Sequence, residues 1–224
     1  MTGRTILAGG GGFCRELYFW VGECHAAGRL PPIGGYLDDA GSTIASLDYA
    51  DMPWLGTIED YAPRQGDLFF IAVGRPAVKR QIHGKLSARG ARFGQLIHPT
   101  SRVLRTASIG EGVIFCPGAA AGPDTSIGRF VTFNAACGAG HDAIVGEFST
   151  ISSNVDITGY VQIGADVMIG SGATFVPGTK VADGAVIGAG AIIYRSVPAG
   201  ATVFAPAAKT IRARLTLGSD SVDT

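Results

Sequence analysis

Ile151-Ser152-Ser153-Asn154-Val155-Asp156-Ile157-Thr158-Gly159-Tyr160-Val161-Gln162-Ile163-Gly164-Ala165-Asp166-Val167-Met168 is three passes of one six-residue pattern. Ile151, Ile157 and Ile163 open the passes, and Val155, Val161 and Val167 stand four places after them. Stepping by six in both directions extends the frame from Ile97 to Ile193. The opening position reads Ile97, Val103, Ile109, Phe115, Ala121, Ile127, Phe133, Ala139, Val145, Ile151, Ile157, Ile163, Ile169, Phe175, Val181, Ile187 and Ile193. Fifteen of these seventeen are Ile, Val or Phe, and the position four further on, Ser101 to Val197, is small or β-branched throughout. A helix cannot keep residues six apart on one face. A triangular solenoid can: each hexad gives one short strand and one corner, and three hexads close a coil of eighteen residues. Coils then stack about 4.8 Å apart through parallel ladders. The bulky residue fills the interior, and the small one lets the chain turn without crowding its neighbours.

Upstream the pattern changes. Thr5 to Ala8 reads as a buried strand that runs into Gly9-Gly10-Gly11-Gly12 and then a helix from Phe13 to about Ala27. Ile33 to Leu37 is a second strand, ending in Asp38-Asp39. Leu68 to Val73 is a third, closed by Gly74, and Pro76 to Arg89 is a second helix. Strands alternating with helices imply a parallel sheet, here half of a doubly wound, Rossmann-like domain and of a size suited to a mononucleotide. Three segments result: an α/β domain over 1–96, a parallel β-helix over 97–205, and a tail over 206–224 whose polar end, Gly218 to Thr224, reads as disordered.

Composition removes several classes of function. Lys plus Arg number 18, balanced by 18 Asp plus Glu, and no basic block stands out, so a nucleic-acid binder's electrostatic footprint is missing. No window approaches the apolar length of a membrane span, and the apolar run at the N-terminus is too short for a signal peptide. Cys14, Cys24, Cys116 and Cys137 lack metal-ligand spacing and read as reduced thiols of a cytoplasmic protein.

The glycine turn between strand and helix presents backbone N–H groups at the positive end of a helix dipole, where phosphate binds. Gly11, Gly12 and Phe13 are the candidates there, although Cys14 stands where the last glycine of a dinucleotide fingerprint would fall. Asp38 and Asp39, at the end of the second strand, sit where a ribose or base is read; a solvated turn is the other reading. Gly74 and Arg75, at the end of the third strand, are further candidate nucleotide contacts. Of the histidines, His25 and His83 fall on helices and read as solvated, and His98 as a packing residue before Pro99. His141 differs, because it lies at an outward corner of its hexad beside Asp142. Imidazole titrates near neutrality and can take a proton from an attacking amine, and the carboxylate can fix its tautomer if the backbone turns between the two. A zinc site of three converging histidines is not available: only His98 and His141 lie in the repeats, and their separation is not a multiple of eighteen.

The segment Phe133-Asn134-Ala135-Ala136-Cys137-Gly138-Ala139-Gly140-His141-Asp142-Ala143-Ile144-Val145-Gly146-Glu147-Phe148-Ser149 resembles the signature of the bacillosamine-type and perosamine-type nucleotide-sugar N-acetyltransferases, hexapeptide-repeat proteins related to sialic acid O-acetyltransferases. Nearly the whole chain takes part, including Tyr36-Leu37-Asp38-Asp39, Phe70-Ile71-Ala72-Val73-Gly74 and Pro206-Ala207-Ala208-Lys209. The resemblance implies a left-handed β-helix, a homotrimer with active sites between subunits, acetyl-CoA as cosubstrate, no metal, and a nucleotide-linked amino sugar as acceptor in glycan biosynthesis. It makes His141 the general base, Asp142 its orienting carboxylate, and the amide of Gly159, one coil on, a donor to the oxyanion. Thr150, Ser171, Ala189 and Lys209 become acetyl-CoA contacts, with the pantetheine arm along a stacked edge, and Asn134 joins the acceptor site. Phe13 replaces a histidine common in the family, which leaves a GDP-sugar as plausible as a UDP-sugar, and Thr150 replaces a second, which bears on how the acetyl carbonyl is held. A hydroxyl acceptor and a non-catalytic nucleotide-sugar scaffold are the competing readings.

Overall fold

A computed structural model describes residues 3–42, 44, 49 and 52–206. The chain opens with strand β1 (Arg4–Ala8), helix α1 (Gly12–Ala26), β2 (Ile33–Leu37), β3 (Asp67–Ile71) and α2 (Pro76–Ser87). The three strands form a parallel sheet in the order β2-β1-β3. The ladder of β1 on β2 slips between Thr5 and Ile6, skipping Gly34, where a Cβ would sit 2.6 Å from the Arg4 side chain. Leu7 and Phe70 pack under α1 through Cys14, Leu17 and Val21. Ile6, Ile71 and Phe69 share a second cluster with Ile82 and Leu86 of α2.

From Leu96 onward the chain is a parallel β-solenoid of two-residue strands, β4 (Leu96–Ile97) to β21 (Thr202–Val203). They stack into three sheets with neighbours eighteen residues apart, as Thr132 on Thr150 and Ala139 on Ile157 show. The sheet that carries Leu96, Thr132, Thr150 and Met168 faces the α/β unit. Leu96, Ile114 and Cys116 complete the cluster under α1, and Phe130 and Phe148 complete the one under α2.

Three details depart from the hexad scheme. The small residues of the repeat, Val113, Ala119, Val131 and Ala143 among them, are fully buried beside the bulky ones and help to fill the core. The turn falls one residue earlier, where the backbone takes left-handed φ. Glycine holds that place at Gly112, Gly118, Gly172, Gly178, Gly184 and Gly190, but Asp124, Phe130, Ala136, Asp142, Phe148, Asn154, Tyr160 and Asp166 hold it between, at φ 56–60°. Non-glycine residues there carry a steric cost of about 1–2 kcal/mol each, which the ladders above and below sustain. The last coil is also shorter: Val197 bridges to Val181, and Val203 pairs with Ile187. Val197 therefore takes a strand position, four residues after Ile193 rather than six, and not the small position that the frame predicts.

Lys79 joins the two units. It lies on the buried face of α2 with Ile82 and Leu86 and is 1% exposed. Its Nζ donates to the carbonyls of Phe130 (2.9 Å) and Ser149 (3.0 Å) and reaches Thr132 Oγ1 at 3.4 Å. Burial pushes its pKa down to about 7, with Asp166 opposing the shift. An unfolded chain keeps that proton up to about pH 10.5, so it binds more protons than the folded one between pH 7 and that value. Stability rises with pH across this window and falls toward pH 7. Lys79→Met leaves the buried Phe130 carbonyl without a donor, while Ser149 O keeps the Thr132 N–H, and is expected to destabilise the fold by about 2 kcal/mol. Urea denaturation at pH 7 and pH 9 checks both parts: the gap between wild type and variant widens at the higher pH, and parallel slopes would show that Lys79 does not titrate there.

Candidate active site

Two groups of the candidate residues come together, on different edges of the triangular prism. The first is built on His141. It follows β11 (Gly138–Ala139), and at Gly140 a Cβ would press on the Gly159 amide nitrogen at 2.8 Å. The chain then turns at Asp142, φ 57°, whose N–H donates to Pro123 O. That left-handed residue brings the carboxylate back beside the ring, so His141 Nδ1 meets Asp142 Oδ2 at 2.9 Å, although the two are sequence neighbours. With the proton on Nδ1 donated to Asp142, Nε2 is left as a base. Both side chains are about half exposed, so solvent screens the pair and its value lies in orientation.

Nε2 faces the next coil. At Gly159 a Cβ would stand 2.5 Å from His141 Nε2 and 2.6 Å from Cε1, so only glycine admits the ring in this position. The Tyr160 N–H donates to His141 O at 3.0 Å, and the Tyr160 ring stands edge-on to the imidazole at 4.9 Å. The ladder leaves the amide at this corner position unused. At the equivalent Ala165 the Asp183 carboxylate takes it, whereas the Gly159 amide has no protein acceptor among the described residues. A base and a free donor thus lie on one edge, one coil apart.

The second group lines a cleft of about 360 Å³ between the N-terminus of α1 and the solenoid. Gly12, Phe13 and Glu16 form one wall and Gly74 a corner. Thr132, Asn134, Thr150, Ser152 and Ser171 are on the opposite side. The α1 N-terminus has no side-chain cap, and a Cβ at Gly11 would meet nothing within 4 Å, so the amides there are open to a ligand. Gly9 serves the turn itself, at φ 114° with Val73 pressed against it. Asp38 is tied into the same turn: one carboxylate oxygen accepts the Gly10 N–H and the other accepts the Ala40 N–H. Asp39 turns away, accepting the Ile58 N–H at 2.7 Å with Lys85 at 3.7 Å. Neither is simply solvated. Arg75 is exposed at the N-cap of α2.

Thr150 departs from the edge it is expected to share with Ser171 and Ala189. It lies on the sheet face, 1% exposed, with Oγ1 donating to Gly74 O at 2.6 Å. Ser171 and Ala189 do stack one coil apart, on an edge other than that of His141. Lys209 lies outside the described residues. His83 is not a solvated histidine either: its ring packs on Phe130 at 4.4 Å and on Phe93 and Phe148, and burial lowers its pKa. His98 is buried, between Glu23 and Thr100. Glu16 and Lys79 escape the sequence reading. A lysine on the apolar stripe of α2 is the signal for the second; Glu16 has none beyond its place one turn after the glycines.

The four cysteines are buried and unpaired. Burial pushes the thiols of Cys14 and Cys137 up to about 12 and that of Cys24 to about 11, so none supplies a thiolate for an acyl-enzyme. No group of three or more His, Cys, Asp or Glu is placed to hold a metal ion among the described residues, and no described helix is long and apolar enough to cross a membrane.

A parallel solenoid with a base on one edge and a polar cleft on another is the framework of a hexapeptide-repeat transferase. The family model described as bacterial transferase hexapeptide (six repeats) matches residues 160–195. No curated protein matches the chain by sequence. The acetyltransferase domain of PglB from Neisseria gonorrhoeae FA1090 is 29% identical with a TM-score of 0.81, over 93% of this chain and 99% of that one. The same domain solved with acetyl coenzyme A gives a TM-score of 0.79 at 29% identity, over 93% and 100% of the two chains. Perosamine N-acetyltransferase from Caulobacter crescentus, solved with CoA and GDP-perosamine, shares the fold: TM-score 0.81, 23% identity, 92% of this chain and 95% of that one. The chain carries bacterial-transferase hexapeptide repeats over residues 160–195 and is similar along most of its length to nucleotide-sugar N-acetyltransferases, which supports an acyltransferase.

Proposed function

We propose that the chain transfers the acetyl group of acetyl-CoA to the 4-amino group of a nucleotide-linked 4-amino-4,6-dideoxy sugar, GDP-perosamine or a UDP-linked analogue. The observation that carries this reading is the pairing of His141, oriented by Asp142 at 2.9 Å, with the Gly159 amide, which has no acceptor among the described residues. The amine nitrogen attacks the thioester carbonyl carbon while His141 Nε2 takes its proton. Negative charge develops on the carbonyl oxygen and is met by the Gly159 N–H, a donor whose loss costs about 3 kcal/mol in comparable sites. The C–S bond then breaks, the imidazolium returns the proton to the departing sulfur, and an amide and a free thiol result. No acyl-enzyme is needed.

The nucleotide diphosphate docks on the Gly11, Gly12 and Phe13 amides at the head of α1, with Gly74, Arg75 and the Asp38 and Asp39 turn reading the nucleoside and Asn134 meeting the sugar. Here 1–96 works as the nucleotide-sugar domain and 97–205 as a left-handed β-helix. The edge of Ser171 and Ala189 carries the pantetheine arm. Because His141 and the cleft occupy different edges, the working site forms where the His141 edge of one copy meets the cleft of the next, in a homotrimer. Such an enzyme serves glycan biosynthesis in the cytoplasm, where acetyl-CoA is made.

The product distinguishes an amine from a hydroxyl acceptor. Acetyl-CoA and the accepted nucleotide sugar are incubated with the protein, and the acetylated product, separated from acetyl-CoA, is treated briefly with alkaline hydroxylamine. An amide survives, and this is the expected result. Release of the acetyl group as its hydroxamate would identify an ester and a hydroxyl acceptor.

A further inference from the structure

Among the described residues that line the cleft beside α1, Glu16 is the one acidic or basic side chain. Lining the same cleft are the hydroxyls of Thr132, Thr150, Ser152, Ser153 and Ser171 and the amide of Asn134, and among the described residues no Lys or Arg lines it. Among the described residues Glu16 has no salt-bridge partner. After burial and Cys137, its charge contributes to raising the pKa of the buried Cys116 thiol. Cys116 in turn contacts Asn134 Oδ1 at 3.8 Å, so carboxylate and amide belong to one corner of the cleft.

Away from the α1 amides, the surroundings of Glu16 are wrong for an anionic group and right for the polyhydroxylated part of a ligand that carries positive charge. A carboxylate facing a second carboxylate or a phosphate in a narrow cleft is repelled. A carboxylate facing an ammonium forms a charge-assisted hydrogen bond, and the neighbouring hydroxyls and amide can serve sugar hydroxyls. Position matters as well. Glu16 lies four residues after Gly12, about 6 Å along the helix, so a diphosphate at the open amides of Gly11 and Gly12 and a cation at Glu16 are separated by roughly the width of a hexose ring.

We propose that Glu16 is a specificity residue: its carboxylate holds the ammonium of the incoming amino sugar and selects it over the sugar that bears a hydroxyl at the same carbon. The assignment rests on the acetyl-transfer reading above. An amine in water near neutral pH arrives protonated, so the contact favours capture of the acceptor, and His141 acts once the proton is given up. The effect belongs to the binding of the acceptor and not to the chemical step.

The test compares wild type with Glu16→Gln, which keeps the shape and removes the charge at an exposed position. Equilibrium binding is measured by calorimetry for three probes: GDP-perosamine, its 4-hydroxyl counterpart GDP-rhamnose, and GDP alone, with the UDP-linked set run in parallel. Glu16→Gln is expected to weaken the amino-sugar nucleotide by about tenfold or more and to leave the other two probes within about twofold. The difference should disappear as pH rises through the amine's own titration. Equal losses on all three probes would overturn the proposal by placing Glu16 against the nucleotide, as would unchanged binding of the amino sugar. Failure of the transfer reading looks different: wild type then releases no thiol from acetyl-CoA with any amino sugar, whatever Glu16 does.

Discussion

Replacing His141 with Asn is expected to lower the turnover number by about 10³-fold, with acetyl-CoA and acceptor still bound. Asn preserves a polar group of similar reach at the corner but has no basic nitrogen. The side chain is half exposed and makes one hydrogen bond, to Asp142, so the fold does not depend on it. Turnover should collapse while melting temperature and acceptor affinity hold. Asp142→Asn should cause a smaller loss, because it removes orientation and leaves the base in place. Steady-state kinetics of both variants, with calorimetric binding of CoA, check this; a variant at position 141 that keeps near-normal turnover would remove the histidine from the mechanism.

The second large effect is expected at Gly159. Alanine there would bring a Cβ to 2.5 Å from His141 Nε2 and 2.6 Å from Cε1, distances that real atoms do not keep. The coil cannot easily yield, since Tyr160 N–H is bonded to His141 O and Gly159 O accepts from Gly178 N–H. The ring must swing out, away from both the free amide and the acceptor. A misplacement of about 1 Å costs about 10² in rate, so Gly159→Ala is expected to lose at least that much in turnover while acceptor affinity changes little. If its turnover instead matched wild type, the proximity of Nε2 to this amide would have no part in catalysis.

Much of the molecule is legible in the sequence, because a solenoid interior is a strict selector. Each inward position sees the same neighbours one coil above and below, so Ile151, Ile157 and Ile163 repeat and the frame cannot drift without opening a void. The α/β unit is read as readily, since strand, glycine turn and helix alternate with Gly and Pro at the joints. Helix ends shift by only one or two residues. The slip at Val197 was hidden because valine suits either position, and only the bridge to Val181 shows which one it takes. The separation of Thr150 from Ser171 and Ala189 follows from position in the coil: residues 171 and 189 differ by one coil length, and 150 does not fit that series. His141 and Asp142 are visible as a motif, but their hydrogen bond depends on φ 57° at Asp142, a backbone fact that no side chain announces. Lys79 is least legible, because its acceptors lie on the solenoid at Phe130 and Ser149. A lysine on an apolar stripe marks an anomaly without naming its partner.

Direct acetyl transfer to a nucleotide-linked amino sugar is read out by the release of free thiol. Purified protein is mixed with acetyl-CoA and a panel of UDP- and GDP-linked amino sugars, and free CoA is followed as it forms. One free thiol for each acetylated amine, with at least one member of the panel and no metal added, is the predicted result. A folded protein that binds CoA and releases no thiol above the solvent background with any amine would contradict it.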